Sequence, residues 1–281
     1  MISGSVLLLG FFFLGPIYQF KNENEGVVDN GLKVMTFNVR GFNQMGQLDN
    51  SDINNLILNF IETENPDIVC MQEAPHFLKN PKKGHLKKYN HKFIDFIYGR
   101  EQNRSILSVH SKYPILNNKI IDFPNSGNSA MYVDLLVRGD TVRLFNIHLE
   151  SYKIIPSVRS IKKQNSKKIL SRMHRAFIKQ KEQATIIKKH IDSTALPKLV
   201  VGDFNNTQFS NVYQTIKGDM SDSFFEKGEG FGKTYRLFRY PMRIDYILAD
   251  DSFKISDHKN YDERLSDHYP VMATLQLKAK Q

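Results

Sequence analysis

The chain has 281 residues, 41% hydrophobic and 24% charged, a globular composition that excludes a disordered protein and suits one large domain or two modest ones. Its 39 Lys and Arg against 29 Asp and Glu give a formal net charge of +10, which favours an anionic partner: nucleic acid, anionic lipid or a phosphorylated metabolite. A single cysteine, Cys70 in the apolar run "DIVCM", excludes an internal disulfide framework and a cysteine-rich zinc site, and no repeat of solenoid period is visible.

The chain opens with "MISGSVLLLGFFFLGPIYQF", uncharged until Lys21. Spanning a bilayer takes roughly 20 apolar residues, and this stretch lacks the basic start and small-residue cleavage site of a secretory signal. Residues 1–20 are therefore expected to be a membrane anchor, on a side of the membrane that Lys21, Glu23 and Glu25 do not specify. Residues 21–31 read as a polar linker, and residues 32–281 as the folded domain.

"LKVMTFNV" (32–39) is the first expected strand, followed by a helix over 52–64 with Ile53, Leu56, Ile57, Phe60 and Ile61 on one face and Ser51 or Asp52 as its cap. Asn65-Pro66 ends that helix, "DIVCMQE" is the next strand, and "KNPKKGHLKKYNHK" is a basic loop. Further strands are expected at 93–98, 105–110, 119–123, 131–137 and 141–149. Residues 157–192 turn helical, with Leu170, Met173, Phe177, Ala184, Ile187 and Ile191 as one apolar face. "KLVVGDFN", a short helix near 210–217, the glycine-rich "EKGEGFGKT", and strands in "RIDYILAD" and "YPVMATLQL" complete the domain. Many strands with few helices between them indicate mixed sheets with helical cover.

Several of these strands end in residues suited to metals or phosphates. "TFNVR" ends in Asn38, "CMQE" in Glu73 and "FNIHLES" in His148; "GDFN" supplies Asp203 and Asn205, "RIDYI" Asp245, and "LSDHYPV" Asp267 and His268. Any one of these is more often a turn former or a cap. Strand alternation would turn Asp203 and Asn205 to the same side, and such a pair is costly to bury without a partner.

The series, with "GDFN" and "SDHYPV" as its specific motifs and "NIHL" and "MQE" as moderate ones, resembles the endonuclease/exonuclease/phosphatase superfamily from about Leu32 to Leu277. That superfamily spans deoxyribonucleases, apurinic-site endonucleases, inositol-polyphosphate 5-phosphatases and bacterial sphingomyelinases. The resemblance implies a four-layer α/β sandwich: two facing mixed β-sheets, helices outside, and an active site at one end. It also implies cleavage of a phosphate ester with Mg²⁺, Mn²⁺ being a workable substitute.

On residue chemistry, Glu73 is the first choice of metal ligand, with Asp267 and Asn38 beside it, since Mg²⁺ takes hard oxygen ligands and keeps several waters. His268 is expected as a neutral general base oriented by Asp245. Asp203 and Asn205 would position water and phosphate, and His148 would stabilise charge on a phosphate oxygen. Arg40 and Arg104 are weaker choices for phosphate contact, with a surface ion pair favoured for each. The remaining histidines (His76, His85, His91, His110, His174, His190, His258) are expected on the solvated surface.

The chain has no Trp, and "YPMRIDYIL" replaces the Trp-Cys-Asp-Arg signature of the inositol 5-phosphatases; both features weigh against apurinic-site and inositol-phosphatase identities. The expectation is a monomeric, membrane-tethered, Mg²⁺-dependent phosphodiesterase of nuclease type. The alternatives are a lipid or small-molecule phosphohydrolase, and a non-catalytic binding module. Lys162, Lys163, Lys167, Lys168, Arg172, Arg175, Lys179, Lys181 and Lys188 form a basic stretch after "NIHLES", able to face a nucleic-acid backbone or anionic headgroups.

Overall fold

The computed structural model describes residues 17–20, 30–44, 46, 48–79, 86–96, 104–152, 166–237 and 240–279. Most of the expected anchor and linker, the tip of the basic loop, the end of the strand expected at 93–98, and Lys162 and Lys163 lie outside them. Among the described residues no helix is long and apolar enough to cross a membrane.

Two six-stranded sheets form the core. The first runs β13 (Phe253–Asn260), β14 (Val271–Leu277), β1 (Leu32–Asn38), β2 (Ile68–Gln72), β4 (Ser108–Ser111), β3 (His91–Ile94). The second runs β5 (Ile115–Asp122), β6 (Ser129–Val137), β7 (Asp140–His148), β8 (Lys198–Asp203), β12 (Asp245–Ala249), β9 (Ser221–Asp222). A separate hairpin joins β10 (Tyr235–Leu237) to β11 (Tyr240–Met242).

Each large sheet has one parallel pair at its centre. β1 pairs parallel with β2 across helix α1 (Ile53–Glu64), and β7 pairs parallel with β8 across α2 (Ser166–Asp192). A parallel pair needs such a crossover; the other pairs in both sheets are antiparallel. α1 stops at Asn65, whose left-handed φ of 50° reverses the chain before Pro66.

Strand alternation sorts the apolar residues into three cores. Leu32, Val34, Ile68, Cys70, Val142, Leu144, Leu199, Val201 and Ile247 fill the space between the sheets. Met35, Phe37, Val69 and Met71 point outward against Ile53, Ile57 and Ile61 of α1. Phe145, Ile147 and Val200 point outward against Ile187 and Ile191 of α2 and Val212 and Ile216 of α3 (Asn211–Lys217). Helix, sheet, sheet, helix: this is the expected four-layer sandwich. Each fully buried Ile, Leu or Phe contributes about 1.5–3 kcal/mol of transfer free energy.

Three expectations about α1, α2 and β4 need correcting. Leu56 is exposed on α1, and Leu58 takes the buried position instead. Leu170 and Met173 are exposed, because the first half of α2 extends past the sheet and its first buried residue is Ala176. His110, expected in solvent, is buried on β4, where burial and then Lys92 push its imidazole down to about 3.

Candidate active site

The intersheet space changes character toward the C-terminal ends of β1, β2, β7 and β8. Above the apolar floor lies a neutral polar layer. The Gln72 amide donates to Thr36 Oγ1 (3.0 Å) and Asn146 Oδ1 (2.7 Å), while Asn146 Nδ2 donates to the carbonyls of Met71 and Ser108 (3.1 and 3.0 Å). The next inward residues are the charged ones. Pairing registers place His148 opposite Asp203 and Asp203 opposite Asp245, one row across β7, β8 and β12. Asn38, at the end of β1 in the facing sheet, reaches over to the same row.

Asp203 is the hub. Its Oδ2 accepts from Asn38 Nδ2 (2.9 Å) and lies 3.6 Å from His148 Nε2 and 3.7 Å from His268 Nε2. Asn38 Nδ2 also donates to Glu73 Oε1 (3.1 Å), so one carboxamide struts two carboxylates together. Asn205 meets Asp203 by a route that strand alternation does not describe. β8 ends at Asp203, Asn205 turns left-handed (φ 48°), its backbone N–H donates to Asp203 Oδ1 (2.7 Å), and its side chain donates to the Leu149 carbonyl (3.0 Å). Asn tolerates that conformation better than most residues. The Gly of "GDFN" is required as well: a Cβ on Gly202 (φ +130°) would sit 2.1 Å from the Ile147 carbonyl oxygen of β7.

His268 Nδ1 lies 3.0 Å from Asp245 Oδ2, an Asp–His pair. Burial works against a proton there, but Asp245 and then Asp203 outweigh it and push the imidazole up to about 10. The two carboxylates thus favour the protonated ring. Burial raises the Asp203 carboxyl to about 6, with Asp245 adding to the rise and the charges of His268 and His148 opposing it.

His148 Nδ1 is 2.7 Å from Ser105 Oγ, which fixes the ring, while Nε2 is buried without a hydrogen-bond partner and stands 3.8 Å from Glu73 Oε1. Two imidazole nitrogens thus converge on one carboxylate oxygen from just beyond hydrogen-bond range, where a water could accept from an imidazole and donate to the carboxylate.

The turns that hold Glu73 and Arg40 are strained. Arg40, Gly41, Phe42 and Asn43 all have positive φ (43°, 64°, 56° and 60°), as does Glu73 (50°). The two turns are tied by the Gly41 N–H to the Glu73 carbonyl (2.7 Å), and such strain clusters at functional sites. The Arg40 backbone donates to Asn38 Oδ1 (3.1 Å), and its guanidinium pairs with Asp267. Arg104, adjacent to Ser105, is engaged by Asp95 and Asp122, in line with the ion-pair reading favoured for it.

For a divalent cation, the buried trio Asp203, Asp245 and His268 offers three atoms within 4.8 Å of one another. Within that trio His268 Nδ1 is already taken by Asp245, at 3.0 Å. Glu73, 38% exposed, and the partly exposed Asp267 are all-oxygen donors open to solvent, and they fit an ion that keeps its waters.

Sequence reasoning did not single out Ser105, Thr234 or Tyr235. Thr234 Oγ1 accepts the backbone N–H groups of Ile244 and Asp245 (3.0 Å each), and Tyr235 packs its ring 4.8 Å from that of His268. Burial and the nearby Asp267 push the Tyr235 phenol up to about 12. Only the glycine run before Thr234 hinted that this loop had a special course.

A family model, Endonuclease/Exonuclease/phosphatase family, matches residues 35–268. No curated protein matches the chain in sequence. Among solved structures, D. rerio TDP2 complexed with single strand DNA product superposes with a TM-score of 0.64 at 17% identity, over 88% of this chain and 100% of that one. The endonuclease/exonuclease/phosphatase from Bacteroides vulgatus gives 0.64 at 18% identity, over 89% and 100%. Sphingomyelinase C from Streptomyces griseocarneus gives 0.58 at 18% identity, over 87% and 99%. At these identities the structures speak for the fold; the family match, covering most of the chain from residue 35 through "GDFN" to His268, assigns this protein to the endonuclease/exonuclease/phosphatase family of phosphoester hydrolases.

Proposed function

We propose that the protein is a Mg²⁺-dependent phosphodiester hydrolase of nuclease type, tethered to a membrane by its N-terminal apolar stretch. The observation that carries the hydrolytic reading is the convergence of His148 Nε2 and His268 Nε2 on Asp203 Oδ2 at 3.6 and 3.7 Å.

Glu73 and Asp267 would hold the ion, with Asn38 fixing Glu73. The bound ion supplies charge neutralisation on the phosphoryl oxygens and help for the leaving oxygen. Asp203, with its carboxyl raised to about 6, takes the proton of the attacking water. Asn205 holds Asp203 in place through its backbone N–H. His268, kept cationic by Asp245, donates to one phosphoryl oxygen, and His148 to another.

The TDP2 complex with a DNA product supports a nucleic-acid ester as substrate. A lipid headgroup ester is the second reading, favoured by the exposed Phe20 and Phe231 near the loop that carries Tyr235. The test is a substrate panel for the purified chain: plasmid DNA, RNA, sphingomyelin vesicles and inositol phosphates, with Mg²⁺ and with EDTA. Metal-dependent DNA cleavage supports the first reading. A tenfold preference for vesicle lipid selects the second, and no metal-dependent turnover on any ester ends both.

A further inference from the structure

We propose that the site end of the molecule docks on an anionic phospholipid surface through an aromatic patch and a basic helical arm. This goes beyond the hydrolase reading and does not depend on which ester is cut.

The patch is built from two distant parts of the chain. Gln19 and Gly230 exchange backbone hydrogen bonds, each N–H to the other's carbonyl at 2.8 Å, locking residues 17–20 to the glycine-rich loop. Tyr18 then packs edge-to-face on Phe231 (5.0 Å) and on Phe20 (5.1 Å). Despite these contacts the cluster faces water: Phe20 is 83% exposed and Phe231 53%, with Ile17 exposed beside them. Gly230 and Gly232, both at positive φ, flank Phe231 and turn it outward. Three and four residues past Phe231 are Thr234 and Tyr235, which support Asp245 and His268, so the patch borders the site. It is also continuous in sequence with residues 2–16, which contain no charged side chain.

The arm supplies charge complementarity. Gln180 of α2 donates to the carbonyls of Glu150 and Asn205 (2.7 and 3.2 Å), which places it level with the site end of the sheet. The helix turns before it extend outward. At about 1.5 Å per residue, Ser166–Arg175 adds an arm about 15 Å long. It carries Lys167, Lys168, Arg172 and Arg175 and no acid, with Leu170 and Met173 exposed three residues apart. Cations interleaved with exposed apolar side chains are the pattern of a helix lying in a lipid interface. A nucleic acid would use the cations and could stack on Phe20 and Phe231, but would leave Ile17, Leu170 and Met173 in water; an anionic bilayer surface engages all of them.

The absence of Trp makes the test direct. Phe231→Trp gives the full chain a single indole fluorophore at a solvent-facing position, and Leu116→Trp gives an exposed control on β5 at the opposite end. Each variant is mixed with vesicles of equimolar phosphatidylcholine and phosphatidylserine. The expected result is co-sedimentation of both. In Phe231→Trp the emission should shift to the blue, be shielded several-fold from iodide and be quenched by brominated lipid; in Leu116→Trp the indole should stay accessible. Co-sedimentation with the two fluorophores equally accessible overturns the docking surface while leaving an anchor in place, and failure to co-sediment overturns both. Leu170→Trp is expected to be shielded on these vesicles and not on phosphatidylcholine alone; accessibility on both removes the arm from the surface.

Discussion

Asp203→Asn is expected to make the protein more stable and nearly inactive. Burial raises the Asp203 carboxyl from 3.8 to about 6 in the folded chain. A carboxyl raised by folding costs nothing below about pH 3.8, and its full cost is present above about pH 6. At 1.36 kcal/mol per unit this cost is about 3 kcal/mol at pH 8. The Asn oxygen can still accept the Asn205 N–H, but its amide then faces the amides of Asn38 and Asn205, forfeiting the 2.9 Å bond from Asn38 and the long 3.3 Å one from Asn205 Nδ2, together worth about 1.5 kcal/mol. The net gain is about 1.5 kcal/mol above pH 6, shrinking toward zero or reversing near pH 4. Loss of the water's proton acceptor should meanwhile lower kcat by roughly a thousandfold or more, about 4 kcal/mol of barrier. Urea unfolding in EDTA at pH 4 and pH 8, alongside initial rates in Mg²⁺, checks both halves. A variant less stable than the parent at pH 8, or one within tenfold of its activity, would refute the reasoning.

The remaining predictions follow from neighbouring contacts. His268 gains its proton on folding, so its stabilisation is complete below about pH 6.5 and is lost as pH rises through about 10. That loss amounts to up to about 5 kcal/mol, and Asp245→Asn should flatten it between pH 7 and 10 in urea titrations. Gly202→Ala forces a Cβ against the Ile147 carbonyl and should cost more than about 3 kcal/mol, read as a lowered urea midpoint or failure to accumulate folded protein. Ser105→Ala removes the partner of His148 Nδ1 and should lower kcat about tenfold with KM unchanged in steady-state assays.

Residues whose spacing alone defines them were readable from sequence. "GDFN" and "SDHYPV" flank strand ends, and Asn38, Glu73 and His148 were placed at the ends of their strands, where the structure has them. Which face of β1, β2, β7 and β8 turns inward could not be read, because both faces of these strands are buried. Nor could what depends on through-space partners. Ser105 and Thr234 are ordinary residues until folding brings them to His148 and to the start of β12. The upward push on the His268 imidazole comes from two carboxylates distant in sequence, Asp245 and Asp203.

β13, "FKISDHKN", is hard to read as a strand because it is polar on its open face and repeats the Ser-Asp-His triplet of the site. There the triplet is structural. Ser256 bonds the Thr274 carbonyl, and His258 bridges Ser223 and Asn260, with burial pushing its imidazole down to about 4. Expecting His258 on the solvated surface is an error of composition: its neighbours in sequence are charged, but its neighbours in space include Phe224.

The central claim is that these strand ends assemble one metal-assisted phosphoryl-transfer site. Its most direct test is hydrolysis of a chromogenic phosphodiester by the purified chain, Glu73→Ala and His268→Asn, each with Mg²⁺ and with EDTA. The account predicts turnover by the parent that EDTA abolishes and that each substitution lowers by at least about a hundredfold, measured on the folded fraction of each protein. Parent activity indifferent to EDTA, or undiminished in Glu73→Ala, would contradict it.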